Sequence, residues 1–318
     1  MEIVHTRADC AASLDRARAA DRTVGLVPTM GALHAGHTSL IARARAECDV
    51  VAVTIFVNPL QFGDPGDIAA YPRTLDHDFA ACAEAGADLV FVPSVREMYP
   101  SWPDSPSTTV SVRGVSDAWE GASRPGHFEG VATVVAKLFS VAGRCRAYFG
   151  LKDFQQLAVV RQLTEDLALP VELVGCATVR EPDGLALSSR NVRLSPAERA
   201  AATVLSRALA AGRAALDRGE RSSAAVGAAM RAVVETEPLV DLDYATVVDA
   251  RTLADPAHVG DLAGVRLLIA ARVGPVRLID NCAAVAEDLA VAMPTGSQAA
   301  LHGVPHVADA PRQLERIG

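Results

Sequence analysis

The stretch VPTMGALHAGHTSL, residues 27–40, decides the fold of the N-terminal half. It follows the apolar run TVGLV and leads into SLIARARAE, whose apolar residues recur at helical spacing, so it reads as a strand that turns through Gly31 and enters a helix near His34. A strand, a glycine turn and a helix are the building unit of a parallel α/β sheet. His34 and His37, three apart, lie on one face of such a helix. Backbone N–H groups in a helix's first turn lack partners and the dipole there is positive, which suits a phosphate; Gly31 and Gly36 let backbone approach closely. The plainer reading makes one histidine a cap and the other a surface residue. For H-x-G-H directly after a strand, the phosphate reading is the stronger.

Further along, apolar runs TVGLVPT, VVAVTIFVN, DLVFVP, TTVSVR, RAYFG and VELVGCATV alternate with helical patterns, notably TLDHDFAACAEAGA, closed by Gly86, and DFQQLAVVRQLTEDLAL. This is the rhythm of a Rossmann-like, doubly wound parallel sheet. VVAVTIF is apolar almost throughout, as expected of a strand covered on both faces. After residue 180 the pattern changes. A polar stretch, REPDGLALSSRNVRL, precedes Ser195-Pro196-Ala197-Glu198, which joins an N-cap serine, a first-turn proline and a capping-box glutamate. Two alanine-rich helices, 196 to about 218 and 222 to about 236, and strands DYATVVDA, VRLLIAARV and VRLID follow. The expected organisation is a first domain over 1–180, a smaller α+β domain over 181–282 and a loosely ordered tail over 283–318.

Composition narrows the function. Thirty basic against 38 acidic residues give a net charge of −8, which argues against a nucleic-acid partner, because such binding needs a basic face. No signal-like N-terminus or membrane-length apolar run is present in the sequence, so a cytoplasmic location with no membrane partner is expected. The six cysteines are widely spaced and read as buried free thiols. Neither G-x-G-x-x-G nor G-x-x-x-x-G-K-[ST] occurs, which weakens dehydrogenase and P-loop kinase readings. From the residues alone, nucleotidyl transfer to some small acid or phosphate and a nucleotide-binding module without turnover both stay open.

With VPTMGALHAGH, IFVNPLQF, YPRT, GHFEGV, GLKDFQQL and DGLALSSRN in this order, the chain resembles the pantothenate synthetase (pantoate–β-alanine ligase) family of the HxGH nucleotidylyltransferase superfamily. The resemblance implies ATP-dependent ligation of pantoate and β-alanine through a pantoyl adenylate, releasing AMP and pyrophosphate, with Mg²⁺, a C-terminal lid and a homodimer. It carries ATP binding onto Met30, Gly31, Ala32, Leu33, His34, Ala35, Gly36 and His37, onto Gly150, Leu151, Lys152 and Asp153, and onto Val179, Leu187, Ser188, Ser189 and Arg190. Catalysis would fall to His37, His34, Lys152 and Arg190. Pantoate would meet Gln61 and Gln156, with Met30, Val134 and Val135 around its methyl groups, although core packing accounts equally well for the valines. In Asp76-His77-Asp78 a histidine stands where an acid is expected of relatives, which leaves Asp78 as the magnesium candidate.

Overall fold

The structure, a computed structural model, describes residues 1–63, 65–69 and 71–285. Six strands, β1 (Glu2–Val4), β2 (Val24–Thr29), β3 (Val50–Ile55), β4 (Leu89–Phe91), β5 (Cys145–Gly150) and β6 (Val171–Cys176), form one sheet in the order β1-β4-β3-β2-β5-β6. Every pairing in it is parallel. Successive residues face opposite sides of a strand, and the two sides have separate cores. Val24, Leu26, Val50 and Ala52 face one core; Val27, Val51 and Val53 face the other. That is why the run from Val50 is apolar without alternation.

The helices of this half are α1 (Arg7–Ala19), α2 (Ala35–Glu47), α3 (Pro65–Ala69), α4 (Leu75–Glu84), α5 (Val95–Met98), α6 (Glu120–Ser123), α7 (His127–Ala142) and α8 (Phe154–Asp166). Gly86 follows α4 in the left-handed region at φ +91°, as expected. α9 (Pro196–Ala201), α10 (Val204–Asp217) and α11 (Ser223–Val234) pack on an antiparallel sheet of β7 (Val240–Asp249), β8 (Val265–Val273) and β9 (Val276–Ala283). The capping box of Ser195 and Glu198 forms as expected.

Two expectations are corrected. TTVSVR, residues 108–113, is not a strand. Its alternation comes from lying across α7: Val112 is buried, and Val110 N–H donates to Thr133 Oγ1 at 2.9 Å instead of to a neighbouring strand. The sixth strand is β1, paired along β4. The helix expected from 196 to about 218 breaks after Ala201, where the N–H and hydroxyl of Thr203 both donate to Ala200 O, a tightened turn that hands over to α10. Of the expected tail, 286–318 lies outside the described residues, while Ala283 ends β9. Among the described residues no helix is long and apolar enough to cross a membrane.

From β2 the chain runs outward to β3 on one side, whereas β5 lies on the other side of β2. The strand order therefore reverses between β2 and β5, and open α/β sheets bind ligands at that point, beyond the carboxyl ends of the strands. Beyond β2 lies Met30, beyond β3 the 3-10 turn Pro59–Gln61, and beyond β5 the 3-10 turn Leu151–Asp153.

α7 crosses the Pro59–Gln61 turn so closely that a Cβ on Gly130 would come within 2.3 Å of Leu60 O. Gly130→Ala should therefore lower stability by about 1–3 kcal/mol, the usual cost of forced overpacking, and disturb Gln61. A urea midpoint equal to wild type would show that α7 yields freely.

Candidate functional site

The loop after β2 is held from below. Gly31 adopts φ +80°, and a Cβ there would meet Asp78 Oδ2 at 2.9 Å, so glycine is required by both conformation and space. Asp78 Oδ2 accepts from Ala32 N–H at 3.0 Å, and Oδ1 from Leu33 N–H at 2.8 Å and from Thr74 Oγ1 at 3.2 Å. Asp78 is 1% exposed. Its oxygens thus shape the glycine turn, and the magnesium expected of Asp78 would have to share them with these three donors. His77, exposed beside it, has Nδ1 3.7 Å from Asp78 Oδ1.

His34 is the N-cap of α2, and its Nδ1 accepts from Gly36 N–H at 3.1 Å. His37, three residues on, reciprocates: its Nδ1 accepts from His34 N–H at 3.4 Å. The rings lie 4.2 Å apart. A backbone N–H only donates, so each Nδ1 carries a lone pair, and a neutral ring must then bear its proton on Nε2. Both rings are held neutral. Burial, with help from His37 and Lys152, pushes His34 down to about 2; burial pushes His37 down to about 4, against the pull of Asp153 and Asp78. The first turn of α2 contains no acidic side chain, so its positive end remains for an external anion. Gly36 is small for a reason: a Cβ there would lie 2.8 Å from His34 Cε1 and 4.0 Å from Leu187 Cβ.

Gly150 ends β5 and leads into the Leu151–Asp153 turn. Lys152 Nζ lies 3.2 Å from Asp153 Oδ1 and near enough to both imidazoles to oppose their protonation. Burial alone would raise the Asp153 pKa, but Lys152, Arg190 and His127 bring it below the usual carboxylate range, so it is ionised. The ribbon from Val179 turns at Gly184 and returns, with Leu187 N–H donating to Val179 O at 3.0 Å. It delivers Ser188, Ser189 and Arg190 to the same region: Ser189 lies beside Tyr71, and Arg190 acts electrostatically on Asp153, Tyr71 and Arg124. Lys152, Ser188, Arg190 and Asn191 also line a common cleft with Arg277 and Asp280.

Beside this cradle, Gln61 Nε2 lies 3.0 Å from Met30 Sδ, while its Oε1 accepts from Asn58 Nδ2 at 3.0 Å. Met30 and Gln61 thus lie side by side. Gln156 is half-buried on α8, one turn beyond Lys152. Val134 and Val135 lie within the core that includes Phe56 and Leu157.

Sequence reasoning gave no role to His127, whose Nδ1 donates to Gln61 O at 2.9 Å, to Arg124 beside it, or to Tyr71. All three lie in or next to YPRT and GHFEGV, and proximity to a resemblance motif was the available signal. Asn281, Asp280 and Arg277 had no such signal.

An open parallel sheet with an HxGH turn at its switch point defines a nucleotide-binding α/β protein of the HxGH class. The chain belongs to the pantoate–β-alanine ligase family, whose model matches residues 2–283. It is 52% identical over 281 residues to pantothenate synthetase of Chloroflexus aggregans, covering 88% of this chain and 99% of that one. With the Roseiflexus sp. pantothenate synthetase it shares 54% over 272 residues, 85% of this chain and 96% of the other. The crystal structure of Thermus thermophilus pantothenate synthetase superposes with a TM-score of 0.83 at 49% identity, over 89% of this chain and 99% of that chain. The Francisella tularensis pantoate–β-alanine ligase, complexed with beta-gamma ATP and β-alanine, gives 0.71 at 31% identity, over 89% and 98%.

Three histidines, the buried His127 and the half-buried His34 and His37, resist protonation in the fold. An unfolded chain protonates them near about pH 6.5, whereas His37 and His127 wait until about 4. Between those values the unfolded state holds more protons, so stability should fall as pH is lowered from about 6.5 towards about 4. His37→Gln should flatten that slope in urea titrations; an unchanged slope would mean that His37 does not titrate as its surroundings dictate.

Proposed function

We propose that this chain joins pantoate to β-alanine with ATP cleavage at the cradle between β2 and β5. The observation that carries this reading is the pair of neutral imidazoles whose Nδ1 atoms accept backbone N–H bonds, which leaves two Nε2–H donors beside Lys152. A carboxylate is a poor acyl donor, so activation precedes amide formation. In the first step a pantoate carboxylate oxygen attacks the α-phosphorus of ATP, the bond to the β-phosphate oxygen breaks, and pyrophosphate leaves. The product is a mixed anhydride, pantoyl adenylate. In the second step the β-alanine amine attacks the acyl carbon, AMP departs with the electron pair of the broken C–O bond, and the amine loses a proton.

His34 and His37 donate from Nε2 to phosphate oxygens as negative charge accumulates, and neutrality suits them to donate without first having to release a counter-ion. Lys152 supplies the full positive charge, and Arg190 a planar fork for oxygens of the leaving pyrophosphate. Ser188 and Ser189 add hydroxyl donors. Gln61, Gln156 and Met30 seat pantoate, with Gln61 fixed through its carbonyl by His127. Magnesium would come with the triphosphate and help neutralise its charge, most of its ligands being phosphate and water. Among the described residues no group of three or more His, Cys, Asp or Glu is arranged to hold a metal, and Asp78 already accepts three hydrogen bonds. The part from 181 to 282 would act as a lid over the nucleotide, and a homodimer is the assembly in keeping with this reading.

Labelled pyrophosphate should exchange into ATP in the presence of pantoate and Mg²⁺ without β-alanine. No exchange by folded protein would remove the two-step scheme. His37→Ala should slow exchange by on the order of 10²–10³ while changing ATP affinity less, the pattern for loss of one preorganised transition-state donor. Lys152→Ala should impair both, because its charge meets phosphate before and during the reaction. Wild-type kinetics in either variant would take that residue out of the chemistry.

A further inference from the structure

Lys152 has a long, flexible stem, and the turn bearing it starts at Gly150 without a side-chain cap. Something else must fix its main chain. Asn281, in β9 of the small sheet and 3% exposed, does so from 129 residues away in sequence: its Nδ2 donates to Leu151 O at 3.0 Å and to Lys152 O at 2.7 Å. The two hydrogens of one amide thus grip two consecutive carbonyls. The amide cannot be turned over without loss, because its Oδ1 accepts from Arg266 Nε at 2.6 Å. The Arg266 guanidinium in turn lies 4.2 Å over the ring of Phe154, the first residue of α8. Asn281 is therefore locked on both sides to the segment that presents Lys152.

Its neighbour performs a parallel task. Asp280 binds Arg180 through two hydrogen bonds, at 2.6 and 2.8 Å, with both side chains largely buried. Arg180 lies at the root of the ribbon that carries Leu187 to Arg190, and Asn281 O accepts from the same guanidinium at 3.2 Å. Two adjacent residues of β9 thus fix the separation between the lysine turn and the Ser-Ser-Arg loop.

We infer that Asn281 is a positioning residue for the adenylation step, setting Lys152 at its working distance from the phosphates. The inference rests on the function proposed above. Misplacing a charged group by about an ångström costs on the order of 10²-fold in rate, and carbonyls freed from an amide can relax that far.

The test is a double-mutant cycle in pantoate-dependent ATP–pyrophosphate exchange on the full chain, with kcat and KM for ATP measured separately. Asn281→Asp keeps size and the Arg266 contact but turns two donors into acceptors facing carbonyls. It should lower kcat by on the order of 10²-fold and raise KM for ATP. Asn281→Ala, which removes the donors without adding repulsion, should shift both in the same direction by less, and it serves if the aspartate variant does not fold. In a Lys152→Ala background either change should add little further loss, because a residue acting through Lys152 has nothing left to position. The inference is overturned if an Asn281 variant with a wild-type melting curve keeps wild-type kcat and KM, or if its loss multiplies in full on that of Lys152→Ala. A wild-type protein without exchange would overturn the underlying function and this inference with it.

Discussion

Two histidines that cap each other's helix start are the constraint on which the site depends. In most capping boxes the reciprocal partners are a hydroxyl and a carboxylate or amide; here His34 and His37 fill both positions. Using Nδ1 for the cap leaves Nε2–H as the only donor each ring can offer, and burial keeps the rings neutral. The same contacts that begin α2 therefore prepare two donors. A carboxylate in the partner position would begin the helix equally well but would repel a phosphate.

The rest of the fold brings charge to those donors. Reversal of strand order between β2 and β5 puts the HxGH turn and the Lys152 turn side by side, and β3 adds Gln61 next to Met30. The small sheet contributes through β9. Besides Asp280 and Asn281, it carries Arg277, which binds Glu120 through two bonds and reaches Asp243. Glu120 opens α6, and the next helix begins with His127, which holds the Gln61 carbonyl. One strand outside the main sheet is thus tied to the Lys152 turn, to Arg180 at the root of the Ser-Ser-Arg ribbon and to α6.

Much of this was legible in the sequence where the chemistry is local. The HxGH turn, GLKD and SSRN each hold their functional groups within a few residues, so motif and strand end could be read together. The alternating TTVSVR misled because residues draped over a helix can bury every second side chain as a strand does. β1 escaped notice because three residues, EIV, carry too little pattern to register. The hold of Asp78 on the glycine turn was not legible, since its partners, Ala32 and Leu33, come from a different element. Asn281 was not legible at all: an asparagine near the end of an apolar strand gives no hint of carbonyls reached only after folding.

The central claim concerns the protonation of His34 and His37, and long-range ¹H–¹⁵N correlation spectra of the imidazole rings test it directly. Both should appear at neutral pH as Nε2–H tautomers and remain neutral down to about pH 5, well below the usual histidine midpoint of about 6.5. A cationic ring at neutral pH, or a proton on Nδ1 of either residue, would contradict the account.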